Sequence, residues 1–204
     1  MANSKFMEFD LVVVGELNVD LLLYGEDIVP VFGQVEKLVD DAVLTVGSSS
    51  AIFAHQAARL ELRVAFAGKV GPDVFGEFMV DRLRKVGVET STIVVDPGVK
   101  TGVTVHLVRG RDRAMLTHPG SIAALRADEV DEALLANTHH VHLGSYFLQE
   151  GVQPGLAGIF ARAKRRPPPR STRAGIPMRD GTRTSAKCWP TPMSFYPTNR
   201  SSWR

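Results

Sequence analysis

The sequence predicts an α/β fold, a parallel sheet with helices packed on both sides. Three observations lead there. The run Leu11–Val14 is short, aliphatic and rich in β-branched residues, and it stops at Gly15, as a strand buried on both faces does. Val74–Val86 is amphipathic at helical spacing. Strand-like and helix-like segments alternate along the first 164 residues, which favours crossover units over an antiparallel meander.

The elements follow in chain order. Val35–Val46 alternates less cleanly than Leu11–Val14 and reads as one or two strands with a polar face. Ser48–Leu62 carries Ile52, Phe53, Ala57 and Leu60 near helical spacing and is expected to be a helix. Val64–Ala67 is a second short strand. In Val74–Val86, Phe75, Phe78, Met79, Leu83 and Val86 share one face and Glu77, Asp81, Arg84 and Lys85 the other; Gly87 supplies the stop. Thr101–Val108 and Ala114–Thr117 form a hairpin about Gly110–Asp112. Asp128–Asn137 is a short helix, and His140–Leu143 opens another strand. No internal repeat is visible.

The composition, 204 residues with 44% apolar and 23% charged, gives enough chain for one domain with a core and excludes collagen, coiled coil and wholesale disorder. One cysteine, Cys188, excludes a disulfide scaffold and fits a reducing cytoplasm; with no partner at metal or redox spacing it reads as an exposed free thiol. Met1–Asp10 shows no signal-peptide pattern, and aliphatic runs of about four residues are too short for a membrane helix. The averages hide a break near Lys164. Residues 1–164 hold 15 Lys and Arg against 21 Asp and Glu, a net charge of −6, whereas residues 165–204 hold 9 against one, a net of +8. The second segment also has 7 of the 12 prolines and a single Val, Ile or Leu, Ile176, too little branched apolar surface to build a core.

Several glycine-centred motifs add up. Val14-Gly-Glu-Leu-Asn-Val-Asp20 ends the first strand, and Gly47-Ser-Ser-Ser-Ala-Ile-Phe-Ala54 opens the first helix. Gly68-Lys-Val-Gly-Pro-Asp-Val-Phe-Gly76 follows the second strand, Gly87-Val88 closes the next helix, and Thr101-Gly102 begins the hairpin. In this order and spacing they resemble the ribokinase-like (PfkB) carbohydrate kinases, over roughly residues 9–164, the N-terminal half of such an enzyme. Gly68–Gly76 followed by Gly87-Val88 is the most specific part.

The resemblance implies an α/β/α sandwich with a small β lid, here within 21–44 and 100–118, truncated after roughly the first half. It implies a sugar lying between lid and sheet, with ATP and Mg²⁺ as cofactors. Asn18 and Asp20 match family positions that hydrogen-bond sugar hydroxyls, and a carboxylate accepts from two hydroxyls at once. Gly47 and Ser48 match backbone that a substrate approaches closely. Where the family often has asparagine against the sugar, this chain has Ile52, so that polar contact is missing or comes from Ser49 or Ser50. The sugar's identity stays open, as does pairing of two lids into a homodimer.

Plainer readings stand beside these. Asp20 also suits a solvated strand end. Asp73 reads as a structural acid bonding amides in its glycine loop rather than as a catalyst. His140 and His142 have a spacing that metal ligands use, with no third ligand placed beside them. Gly68–Gly76 lacks the Gly-Lys-Ser/Thr ending of a phosphate loop.

The family's chemistry resides in its C-terminal half, where a Gly-Ala-Gly-Asp motif opens a helix and its aspartate takes the sugar's proton. The sequence contains no such motif, and beyond Glu150 its sole acidic side chain is Asp180. The segment 165–204 is read as translated out of frame. Regrouping the codons from Phe195 to Asn199 permits Leu-Pro-Asn-Glu, and Arg170–Pro177 in that frame permits Leu-Asp-Thr-Gly-Trp-Asp-Pro; both resemble family segments in family order. A basic arm binding nucleic acid through arginines and aromatics is the alternative, against which the basic residues are scattered and no binding motif accompanies them. The expectation is a cytoplasmic carbohydrate kinase by descent, without specific nucleic-acid or membrane partners and inactive as written. A sugar-binding remnant or a non-functional product are the alternatives.

Overall fold

The computed structural model describes residues 9–163, so the readings of the first eight residues and of the tail from Lys164 onward lie outside the described residues. The chain runs β1 (Phe9–Val14), β2 (Asn18–Tyr24), β3 (Asp41–Val46), α1 (Ser49–Arg59), β4 (Val64–Ala67), β5 (Lys69–Val70) and α2 (Val74–Lys85). Then come β6 (Val94–Val95), β7 (Gly102–Arg109), β8 (Asp112–His118), α3 (Glu132–Ala136), β9 (Thr138–Leu143) and α4 (Leu156–Ala163).

Two sheets organise it. The first is parallel, in the order β4-β1-β9, with Leu11–Val14 in register with Val64–Ala67. Its central strand is buried on both faces because alternate side chains enter different cores. Leu11 and Val13 join Ala51, Ala54, Met79 and Leu83 of α1 and α2; Val12 and Val14 join Leu134, Leu135 and Ile159 of α3 and α4. That makes three layers, helix–sheet–helix, and explains why Leu11–Val14 is apolar without alternation. The second sheet, in the order β3-β2-β7-β8, is mixed: β2 and β7 are parallel, and the outer pairs antiparallel. Its strands overlap the segments 21–44 and 100–118, where a lid is expected. Val19, with Val46 and Val103 beside it, belongs to the α1/α2 core, so the root of the lid is anchored in the main domain.

Four expectations change. Of Val35–Val46, Asp41–Val46 alone is strand, because pairing with β2 ends at Tyr24↔Asp41 and the chain turns away at Gly25. The strand β2 itself was not foreseen. In α1 the buried face is Ser50, Ala51, Ala54 and Ala57, while Ile52, Phe53 and Leu60 are exposed; small residues let the helix lie close on β1. Asp128–Asn137 splits into a 3₁₀ turn at Ala127–Glu129 and α3, because Val130 is extended and Asp131 Oδ1 caps the new start by accepting from Ala133 N at 2.7 Å. By contrast, the expected stripe of α2 does face the core, with Met79 and Leu83 buried and Phe75, Phe78 and Val86 partly buried against it, and the β7–β8 hairpin turns at Gly110, whose φ is 55°.

A bidentate pair ties β1 to the start of β4. Arg63 donates to Asp10 from Nε at 3.0 Å, from a terminal guanidinium nitrogen at 2.7 Å and from its backbone N–H at 2.9 Å. Hydrogen bonds from the Arg63 side chain pull the Asp10 carboxyl down to about 2. A depressed folded-state pKa gives stability that is present above the unfolded value, near 4, and lost as the pH falls toward 2. Asp10→Asn is expected to lose about 1 kcal/mol at neutral pH, after allowance for exposure, and almost nothing near pH 2. Urea melts of both proteins across that range check it; a pH-independent gap would refute the linkage.

Candidate functional site

The site lies where β1 ends, β2 begins and α1 starts, at the carboxyl edge of the parallel sheet, where open α/β sheets place their ligands. Asn18 and Asp20 alternate along β2 and so share a face. Asn18 is 6% exposed and donates from Nδ2 to Asp20 Oδ1 at 3.1 Å. The registers set Asp20 beside Thr45 of β3 and Thr104 of β7. The Thr104 hydroxyl is shared with that of Thr117 on β8 at 3.1 Å. Asp20 is partly open to solvent, and His106 Nε2 lies 3.3 Å from its Oδ2.

Gly47 closes this wall. Its N–H donates to Asn18 O at 3.1 Å, and a Cβ built there would overlap Asp20 Oδ1 and Asn18 Nδ2. The missing Cβ is thus what leaves room for the Asp20 carboxylate and the Asn18 amide in these positions, before any substrate is considered. Ser48 is buried and spends its hydroxyl on structure: it donates to Glu16 O at 2.6 Å and accepts from Ala51 N at 3.0 Å as the N-cap of α1. Its φ of 68° with ψ of 126° is a conformation that favours glycine, held here beside the site. Ser49 is exposed, and Ile52 follows one turn later on the exposed side of α1.

The sequence reading missed Glu16. It is 3% exposed and sits in a cage of donors. Ser50 Oγ donates to Oε2 at 2.5 Å and its amide to Oε1 at 3.3 Å; Ser49 and Ser145 donate to Oε1 at 3.1 and 2.7 Å. Gln149 reaches Oε2 at 3.5 Å. The carboxylate thus joins the end of β1, the start of α1 and the segment after β9, facing the positive end of the α1 dipole. A signal was present: an acid inside the otherwise apolar run before Leu17 has to be caged to be buried there.

Other candidates resolve into structure. Asp73 caps α2 from Gly76 N at 2.9 Å and also accepts from Thr101 N at 2.8 Å. Burial works against its ionised form, yet these amides hold its carboxyl below the usual range. The amide of Gly71 is taken by Thr101 Oγ1 at 2.9 Å. The loop Gly68–Gly76 therefore has these amides committed internally and does not fit a phosphate cradle. His142 stacks on Phe53 with ring centres 4.2 Å apart; burial, then His140, push its imidazole below the ordinary value against the pull of Glu16. Among the described residues no group of three His, Cys, Asp or Glu is placed to hold a metal, and no helix is long and apolar enough to cross a membrane.

Known proteins share this architecture. The family described as pfkB family carbohydrate kinase matches residues 8–166. The 2-dehydro-3-deoxygluconokinase of Thermoproteus tenax is 33% identical over 128 residues, covering 59% of this chain and 39% of that protein. The probable fructokinase-3 of Arabidopsis thaliana is 31% identical over 135 residues, covering 63% and 39%. The solved structure of a fructokinase from Xylella fastidiosa with bound ATP has a TM-score of 0.60 at 23% identity, over 76% of this chain and 49% of that one. The chain thus spans about two-fifths of the length of these curated relatives.

Proposed function

The chain belongs to the pfkB family of carbohydrate kinases, and from that premise we propose that residues 1–164 are the sugar-binding part of an ATP-dependent carbohydrate kinase, with Asn18, Asp20, Gly47, Ser48 and Ser49 at the substrate site. The observation that carries the reading is the Asn18–Asp20 pair, held in place against Gly47 at the start of α1. A carboxylate fixed through one oxygen by an amide keeps lone pairs for two neighbouring hydroxyls. Neither Asp20 nor Glu16 is paired with Lys or Arg among the described residues, so this wall favours neutral hydroxyls over the carboxylate of a sugar acid.

Within such a kinase the γ-phosphoryl group of ATP passes to a sugar hydroxyl, with Mg²⁺ neutralising phosphate charge. The described residues do not fit that nucleotide and metal: the glycine-rich loop's amides at Gly71 and Gly76 are engaged, and no metal-holding cluster is present among them. No Gly-Ala-Gly-Asp motif occurs in the sequence either. These 204 residues by themselves are accordingly proposed to bind sugar without phosphorylating it. The out-of-frame origin of 165–204, the cytoplasmic location and a homodimer through the lid belong to the same proposal. Exposed Val43, Leu44, Met115 and Leu116 on the lid's outer strands support the last.

The test is a melting experiment with D-fructose or 2-dehydro-3-deoxygluconate, beside an assay for ADP. Binding at a tenfold excess over Kd adds about 1.4 kcal/mol of stability. We expect a dose-dependent rise with at least one sugar, its loss in Asp20→Ala, and no ADP. Sugar-dependent ADP formation would overturn the inactivity, and unmoved melting with both sugars would overturn the binding.

A further inference from the structure

Along β7 the residues alternate in burial: Gly102, Thr104 and His106 are buried, whereas Val103, Val105 and Leu107 between them are partly open. The buried set shares the face of Asp20, because the parallel register places Thr104 beside Asp20 and His106 beside Leu22. From there the imidazole reaches diagonally along the face, with Nε2 at 3.3 Å from Asp20 Oδ2. His106 is 7% exposed, and neither ring nitrogen closes a hydrogen bond. The 3.3 Å contact is therefore close enough but misaligned. Across the hairpin its register partner is apolar Met115, and the nearby Thr104 hydroxyl is shared with Thr117.

We infer that His106 is a positioning residue for Asp20, its Nε2–H holding Oδ2 while the Asn18 amide holds Oδ1. The inference rests on the reading of Asp20 as a sugar contact. One donor on each oxygen fixes the plane of the carboxylate, and the remaining lone pairs then face the substrate together. Two considerations put the proton on Nε2. A bare nitrogen lone pair at this distance would repel the carboxylate. Buried N–H groups also tolerate lack of a partner less well than acceptors do, so the one proton of a neutral imidazole belongs where an acceptor is. A slight turn of the carboxylate aligns the bond, and sugar hydroxyls binding to Asp20 supply that turn.

Two measurements on the 204-residue chain test this. Labelling with ¹⁵N-histidine gives six imidazole patterns, and that of His106 is the one missing in His106→Gln. At about pH 8, above the ordinary imidazole range, long-range proton–nitrogen spectra are expected to show the proton on Nε2 and a shifted signal in Asp20→Asn. A proton on Nδ1, or a signal indifferent to Asp20→Asn, overturns the pairing. In D-fructose titrations followed by melting, His106→Leu is expected to bind about tenfold more weakly, while His106→Gln, which keeps an N–H, is largely rescued. If His106→Leu equals the wild type, the positioning role is wrong while the sugar site stands. If D-fructose leaves the wild type unmoved, positioning for this sugar falls with its binding, and the spectrum still decides the pairing.

Discussion

Glu16→Ala is expected to be the most damaging single substitution among the described residues outside the apolar cores. It removes the acceptor for two serine hydroxyls at the site's edge, for the hydroxyl and amide of Ser50, and for Gln149. Ser49 and Ser145 are 2.7 Å apart and can partner each other or water. Ser50, at 0% exposure, has no such recourse for its hydroxyl and amide, whereas Gln149 keeps its bond from Nε2 to Gly144 O. Stranding buried donors costs about 1–3 kcal/mol each, so the variant should lose about 3 kcal/mol or more, a large share of a domain's stability. Glu16→Gln keeps the shape and one acceptor oxygen and should lose roughly half as much, since a serine hydroxyl can turn to accept. Denaturant midpoints of the three proteins decide it; an alanine variant within about 0.5 kcal/mol of the wild type would mean that the cage is not formed.

Gly47→Ala should abolish sugar-dependent stabilisation while leaving the fold largely intact. The new Cβ would overlap Asp20 Oδ1 and Asn18 Nδ2, so one of them must leave. Asn18 is buried and Asp20 partly exposed, so Asp20 swings out. Gly47 is not at positive φ, hence alanine meets no backbone strain and the effect is steric. We expect at least a roughly tenfold loss of sugar affinity for a stability cost of about 1 kcal/mol. Gly25→Ala is the control, because a Cβ there meets its nearest atoms at an ordinary 3.8 Å. Equal sugar-induced shifts in Gly47→Ala and wild type would separate Asp20 from substrate binding.

Much of this architecture was legible in the residues. The apolar run Leu11–Val14 could only be a strand covered on both faces, and both cores do cover it. The stripe of α2 and the Gly110 turn carried their own local signals, helical spacing and a residue tolerant of positive φ. In α1 the signal misled. Ile52 and Phe53 looked like core because they are large, yet the helix buries its alanines, since closeness to β1 admits only small side chains.

What the sequence settled was local: the strand at Leu11–Val14, the stripe of α2, the Gly110 turn and the glycine-centred motifs that single out Asn18 and Asp20; that these two share a face followed only once β2 was seen. Partners across the fold were beyond the sequence. Ser49 and Ser145 meet Glu16 from 33 and 129 residues away, and His106 reaches Asp20 because β2 and β7 pair in parallel in one particular register. A strand's period fixes the side on which a residue points, but contact across strands depends on register and crossover, which only packing of the whole domain selects.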